Sequence, residues 1–283
     1  MNISIRDFSD TKLEIADTLL QAAFQRPDSW IRELSIIRKL QPAGAFLAFH
    51  CETPVGIVVS LMYPDFAYVG PLGVHPDSQH QGIGFVLMER VLDWLDGQGV
   101  KQIALDASPK GQSIYERLGF VPFDRVNIFQ RQSGEPNSQP SPEVQPLSLQ
   151  NLDLIVATDK QVFGTDRNRL LSALLEVYSR RSFFLQDGQG NINGYLIAQE
   201  KGVGPWVSHK KTNAELLLRA GLSLPFSEGP ITVIVPDENY EATILLEQYG
   251  FEKVRELRHM VRGSKQPAGQ RENVYGQTSP SLG

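Results

Sequence analysis

Cysteine is almost missing from this sequence. Cys51 is the only one in 283 residues, which excludes an internal disulfide and any cysteine-rich metal site. Its surroundings, FLAFHCETPVG, read as a strand ending in a turn, so a buried, inert thiol is expected there rather than a nucleophile. Long apolar runs are missing too: no stretch of 18 apolar residues could span a bilayer, and no membrane partner is expected. The opening MNISIRDFSD has neither a basic n-region nor an apolar h-region, so a cytoplasmic location is the expectation. Long Lys/Arg runs are absent and the net charge is −5, which argues against non-specific nucleic-acid binding. What is present is globular composition, with enough chain for one large domain or two ordinary ones.

RQSGEPNSQPSPEVQP, residues 131–146, holds four prolines and almost nothing to bury, the composition of a linker. On either side, landmarks recur in the same order. PVGIVVSL, YVGPLGVHP and SIYERLGF in the first half answer to INGYLIAQ, GVGPWVSHK and ILLEQYGF in the second. Gly70 to Gly119 spans 49 residues and Gly204 to Gly250 spans 46, which marks an internal repeat. The expected division is 1–131, a linker at 132–146, and 147–283. The last stretch, ENVYGQTSPSLG, mixes Val, Tyr and Leu with turn residues and is expected to dock on the second domain.

In the first half, ISIRDF reads as a strand and LEIADTLLQAAF as an amphipathic helix. AFLAFHC and VGIVVSLMY form a hairpin through the ETP turn. AYVGPLGV is another strand, and a helix runs from about Gly82 to Leu95 with Ile83, Leu87, Val91 and Leu95 as its apolar stripe. KQIALDA is a strand, QSIYERL a short helix stopped by Gly119, and FVPFDRVNIFQRQ a final strand. Hairpin-paired strands followed by helical crossovers make an α/β (α+β) fold, a mixed sheet with helices on both faces.

The loop GVHPDSQHQGIG carries the clearest chemistry. A Walker A loop needs G-K-[ST], but Phe85 and Val86 follow Gly84; a dinucleotide fingerprint needs glycine at position 87, which is Leu87. What remains is strand, polar loop, Q-x-x-G-x-G, helix. Gly82 and Gly84 let backbone approach a ligand, and the free N–H groups of the first helical turn point at an anion. A diphosphate met by amides needs no lysine.

Gln79 to Gly84, Q-H-Q-G-I-G, resembles the acyl-CoA pyrophosphate loop of the GNAT acyltransferase superfamily, whose pattern is Q/R-x-x-G-x-G/A. Leu72, Val74 and Pro76 match the strand end before it, and IYERLGF is similar to the family's last helix with its tyrosine. The resemblance covers residues 3–131 with specific motifs and the second half weakly, as in tandem members with a degenerate second copy. It implies two GNAT-like domains, each a mixed, largely antiparallel twisted sheet flanked by helices.

It also implies an acyltransferase, most simply an N-acetyltransferase, using acetyl-CoA or another acyl-CoA as co-substrate and no metal. Leu72, Val74, Gln79, His80, Gln81, Gly82, Ile83, Gly84 and Phe85 would hold the cofactor. An amide near Leu72 to Val74 would face the thioester oxygen. Tyr115 matches the family's general acid, the alternative being a core aromatic; since Ile114 and Leu118 supply the core contacts, Tyr115 is expected to face elsewhere. For the base, Asp65 and His75 are candidates, with a turn and a surface hydrogen bond as their other readings. Lys110 and Gln112 could help hold the cofactor or be exposed turn residues.

The second half lacks Q-x-x-G-x-G and places Leu246 where Tyr115 stands, so it looks unfit to bind acyl-CoA. Asp166 and Arg167 in FGTDRNRLL suit a helix start or the lining of an acceptor site. The acceptor, a small-molecule or peptide amine, is not specified. Carboxylates beside Tyr115 would point to polyamines, an arginine to a carboxylate-bearing acceptor. A monomer or homodimer is expected. The rival reading is a non-catalytic CoA-binding sensor or interaction scaffold.

Overall fold

The computed structural model describes residues 3–9, 11–134, 139–263 and 269–283; residues 135–138 of the expected linker lie outside them. The first half runs β1 (Ile3–Asp7), α1 (Leu13–Phe24), α2 (Ile31–Leu40), β2 (Ala45–His50), β3 (Thr53–Met62), β4 (Ala67–Val74), α3 (Ile83–Gly97), β5 (Gln102–Ala107), α4 (Gln112–Arg117) and β6 (Val121–Gln132). The second follows with β7 (Gln145–Pro146), α5 (Leu152–Phe163), α6 (Asn168–Tyr178), β8 (Ser182–Gln186), β9 (Ile192–Ala198) and β10 (Gly202–Ser208). It ends with α7 (Lys211–Leu222), β11 (Pro230–Pro236), α8 (Tyr240–Gln248), β12 (Glu252–Gly263) and β13 (Val274–Gly276). No helix among the described residues is long and apolar enough to cross a membrane.

Thirteen strands form one mostly antiparallel sheet in the order β1-β2-β3-β4-β5-β12-β6-β11-β10-β9-β8-β7, with β13 against β10. The halves therefore exchange their last strands. β12 pairs with β5 from Arg258↔Ala107 to Gly263↔Gln102, while β6 pairs with β11 from Pro230↔Gln132 to Pro236↔Val126. Gly119 and Gly250, at φ 84° and 77°, end α4 and α8 and turn the chain into these strands. One face of the exchanged strands is sealed by Val126, Ile128, Ile234 and Leu257, two from each half.

α3 covers β2 to β4 with Ile83, Leu87, Met88, Val91 and Leu95, and α7 and α8 cover the second half's sheet. On the opposite face α1, α2, α5 and α6 share a single apolar core that draws on both halves, from Leu20 and Leu34 to Leu171 and Tyr195. At roughly 1.5–3 kcal/mol per fully buried large apolar side chain, this shared core fixes one half on the other. Cys51 departs from expectation. It is exposed, because the β2–β3 connection turns at Cys51 with φ 54° and carries the thiol to the hairpin tip.

Candidate acyl-transfer site

β4 and β5 are parallel partners at only two positions, Ala67↔Ile103 and Tyr68↔Ala104. Beyond them β4 continues to Val74 with no strand on that side among the described residues. Against β3, β4 also carries one extra residue: Val58↔Leu72 is followed by Ser60↔Val69, so a bulge falls at Gly70–Pro71, a cis peptide. The bulge re-aims the strand, placing Gly73 toward α1 and Leu72 toward α3, and leaves a notch between two diverging strands.

The notch leads to the head of α3. A 3₁₀ turn at Pro76–Ser78 ends β4, and Gln79 clamps the loop by donating its side-chain amide to Val74 O at 3.0 Å. Gln81 braces it through Asp77 O at 3.3 Å. The backbone N–H of Gln79 is used by Pro76 O. From His80 to Phe85, by contrast, six consecutive N–H groups have no acceptor among the described residues; the first helical bond is Val86 N–H to Gly82 O. His80 and Gly82 take φ 62° and 81°, turning successive amides to one side as in an anion nest. α3 has no side-chain cap, whereas α8 is capped by Asn239. A Cβ on Gly82 would meet nothing within 4 Å, so open space lies over the amides. Arg117 lies 4.6 Å above the Phe85 ring, a cation beside the same helix end.

Tyr115 is half-buried on α4, and its hydroxyl has no partner among the described residues. Ile114, Tyr115 and Leu118 all pack at the margin of the apolar cluster beneath α3, so Tyr115 does not turn fully away from the core. Its ring meets Phe120 edge-on at 6.0 Å, and burial pushes the phenol up to about 12.

Asp65 accepts from the Thr165 hydroxyl at 2.7 Å, tying the halves together. His75 is exposed at its side chain and accepts the Asp77 N–H. Gln112 donates to Glu116 at 2.7 Å, and Lys110 is exposed. Asp166 accepts the Asn168 N–H at the start of α6. Arg167 is buried against Asp159, with contacts of 2.8–3.0 Å, and beneath Tyr195; burial opposes its charge, but Asp159 overcomes that and holds it protonated.

Sequence reasoning missed two clusters. Tyr68 donates to Asp106 at 2.9 Å, and His259 from the exchanged strand β12 lies 2.8 Å from the other oxygen of that carboxylate. Glu33 on α2 is pushed up to about 7 by burial, which the Ser281 and Ser279 hydroxyls only partly offset.

The second half repeats the bulge at Gly204–Pro205 and the divergence, since β10 and β11 pair only at Gly202↔Thr232 and Val203↔Val233. There the notch is filled by the chain itself: β13 pairs with β10 at Trp206↔Gly276 and Val207↔Val274. The segment then passes Gly204 at Gln277 and reaches Gly70 of the first half at Ser281. Residues 274–283 are nearly all buried, and the expected Tyr115 counterpart, Leu246, is fully buried.

Residues 10–120 match the profile of the Acetyltransferase (GNAT) family and residues 155–276 that of an Acetyltransferase (GNAT) domain. Holothin acyltransferase from Pseudoalteromonas sp. (strain SANK 73390) is 25% identical over 85% of this chain and 81% of its own. A putative acetyltransferase from Pyrococcus horikoshii has a solved structure similar at a TM-score of 0.85 and 25% identity, covering 99% of this chain and 96% of that one. A tandem GNAT protein from the clavulanic acid biosynthesis pathway superposes at 0.64 with 12% identity, over 94% and 99% of the two chains, a likeness of fold.

Proposed function

We propose that this chain, which belongs to the GNAT superfamily of acetyltransferases, moves an acyl group from acyl-CoA to an amine within its first half. The observation that carries the reading is the row of unpaired amides from His80 to Phe85 beside the free edge of β4. A diphosphate is the ligand such a row suits: charge-assisted hydrogen bonds to backbone N–H groups contribute about 1.5–3 kcal/mol each, with the positive end of the α3 dipole behind them. The free strand edge suits the amides of a pantetheine arm, which would pair with β4 as an added strand does. Leu72 and Val74 line the passage from notch to loop, and Gln79 holds the loop in place.

In this reading the amine attacks the thioester, with an amide of the β4 bulge facing the developing oxyanion. The partnerless Tyr115 hydroxyl donates to the leaving thiolate. A phenol near 12 is a poor match for a solvated thiolate, but a thiolate formed in the same desolvated space has its own pKa raised, which narrows the gap. Acetyl is the simplest donor, and a cytoplasmic setting belongs to the same reading. The 25% identity to Holothin acyltransferase supports acyl transfer, with a small-molecule or peptide amine as acceptor.

Calorimetric titration with CoA, followed by thiol-release assays with acetyl-CoA and a panel of amines, tests the proposal. Tight CoA binding and thiol release dependent on one class of amine are expected. Absence of CoA binding ends the reading; binding without turnover of any amine turns it into the sensor alternative.

A further inference from the structure

A pocket lies between the halves, away from the Gln79–Gly84 loop. Its walls include the rings of Phe66, Tyr68, Phe123 and Phe163, with Val261 of β12 and Val274 of β13. His259 also lines it. Because the Asp106 carboxylate only accepts, the His259 nitrogen 2.8 Å away, Nδ1, carries the proton. Nε2 is then a free acceptor with no partner among the described residues. The other Asp106 oxygen takes the Tyr68 hydroxyl, which receives Gln277 Nε2 at 3.4 Å.

One more buried group in the wall is unsatisfied. Asp124 holds Arg271 in an ion pair, with both Nε and Nη2 2.9 Å from one carboxylate oxygen, whereas Gln277 Oε1 has no hydrogen-bond partner among the described residues. Gln277 is 5% exposed, so water does not freely serve it. A buried acceptor left without a donor in the wall of a cavity calls for a ligand N–H.

We propose that this pocket takes the acyl acceptor, a small, flat, largely apolar primary amine, and that His259, oriented by Asp106, accepts its proton. The inference rests on the acyltransferase reading above. The position suits it: Tyr68 and Ala104, the last paired residues of β4 and β5, line the pocket just where the strands part. The aromatic walls select a flat apolar body. Gln277 Oε1 calls for an N–H. Both arginines of the pocket already face an aspartate, Arg167 with Asp159 and Arg271 with Asp124, so no spare positive charge waits for a carboxylate acceptor.

In the reaction the amine lone pair attacks the thioester carbon; the C–N bond forms and the C–S bond breaks. The proton on nitrogen passes to His259 Nε2, directly or through one water, and Asp106 stabilises the imidazolium. The thiolate leaves with the Tyr115 proton. Burial and the neighbouring Arg271 lower the His259 pKa against the pull of Asp106 and Asp124, so the ring is neutral near pH 7 and ready to accept. The charged and titratable groups facing it are Asp106, Asp124, Arg271 and Tyr68.

Steady-state kinetics with acetyl-CoA and a panel of flat aromatic monoamines, linear polyamines, amino acids and peptides test this on the full chain. Flat monoamines are expected to be preferred. His259→Gln should lower kcat/KM by about 10²–10⁴-fold with CoA affinity unchanged. The acid limb of the wild-type pH profile, with its inflection below 6.5, should vanish in that variant, and free imidazole should restore part of the rate of His259→Ala. Asp106→Asn, which keeps the side-chain shape, should lower kcat/KM as well. Preference for polyamines or peptides, or a His259→Gln enzyme within threefold of wild type with its acid limb intact, overturns the inference while leaving acyl transfer standing. A wild-type protein that binds no CoA and acylates nothing overturns the parent reading and this one with it.

Discussion

Gly82→Ala separates the proposed ligand cradle from the stability of the fold. Gly82 sits at φ 81°, where a Cβ costs roughly 1 kcal/mol of backbone strain, and that Cβ would meet no protein atom within 4 Å. Unfolding in urea should therefore register a loss of about 1 kcal/mol and no more. Relief of the strain rotates the peptide groups on either side of residue 82 out of the row of free amides. Two N–H groups lost to a charged phosphate, at the lower end of about 1.5 kcal/mol each, weaken CoA binding by about 3 kcal/mol, roughly a hundredfold in Kd. Gly99→Ala is the matched control. It has φ 78° and equally open surroundings, but stands past the far end of α3, so it should lose the same stability and no affinity. Calorimetry with CoA on both variants decides the matter: a Gly82→Ala protein that binds within threefold of wild type, while destabilised like Gly99→Ala, refutes the amide cradle.

Tyr115→Phe should lower kcat at least tenfold with the Kd for CoA unchanged; a smaller effect removes the acid role. Asp159→Asn should cost about 3–5 kcal/mol in urea unfolding, since it leaves Arg167, 2% exposed at its side chain, charged and unpaired. Glu33 predicts a pH dependence of stability. Its carboxyl rises from 4.5 to about 7 on folding, so the native state holds the extra proton, and stability is full below 4.5 and falls by up to about 3 kcal/mol as pH rises through 7. Urea unfolding of Glu33→Gln across pH 4.5–7.5 should lack that decline. CoA should titrate to one site per chain, because the second notch holds β13; a stoichiometry of two contradicts the assignment.

The parts legible in the sequence are those set by neighbours along the chain. Gly82 and Gly84 at the head of an apolar stripe announce a helix end open to an anion, and the β2–β3 hairpin follows from alternation around ETP. The strand exchange was not legible, because β6 and β12 show the same alternation whichever sheet they join, and only the three-dimensional course after Gly119 and Gly250 decides. Tyr68, Asp106, His259, Arg271 and Gln277 come from five segments with no fixed spacing, so no motif could gather them. The half-buried setting of Tyr115 beside Ile114 and Leu118 was not legible either, because α4, at six residues, is too short to give its faces distinct environments.

The erosion of the second copy and the shaping of the first are one structural event. A bulged β10 diverging from β11 leaves an unpaired strand edge and an apolar floor that must be covered, since buried backbone groups without partners are costly. With no Q-x-x-G-x-G loop to recruit a ligand, the chain supplies the cover. β13 pairs with β10 and packs Tyr275 on Trp206 at 5.1 Å between ring centres. Having filled one notch, the segment is carried to the other, where Gln277 meets Tyr68 and Ser281 lies against Gly70. The strand that fills the second notch therefore also lines, at Val274, the pocket between the halves. The exchanged strand β12 does the same with His259. In the proposed reading both halves then contribute to one acyl-transfer centre, which gives a copy without the phosphate loop a reason to keep the bulge, the divergence and the fold.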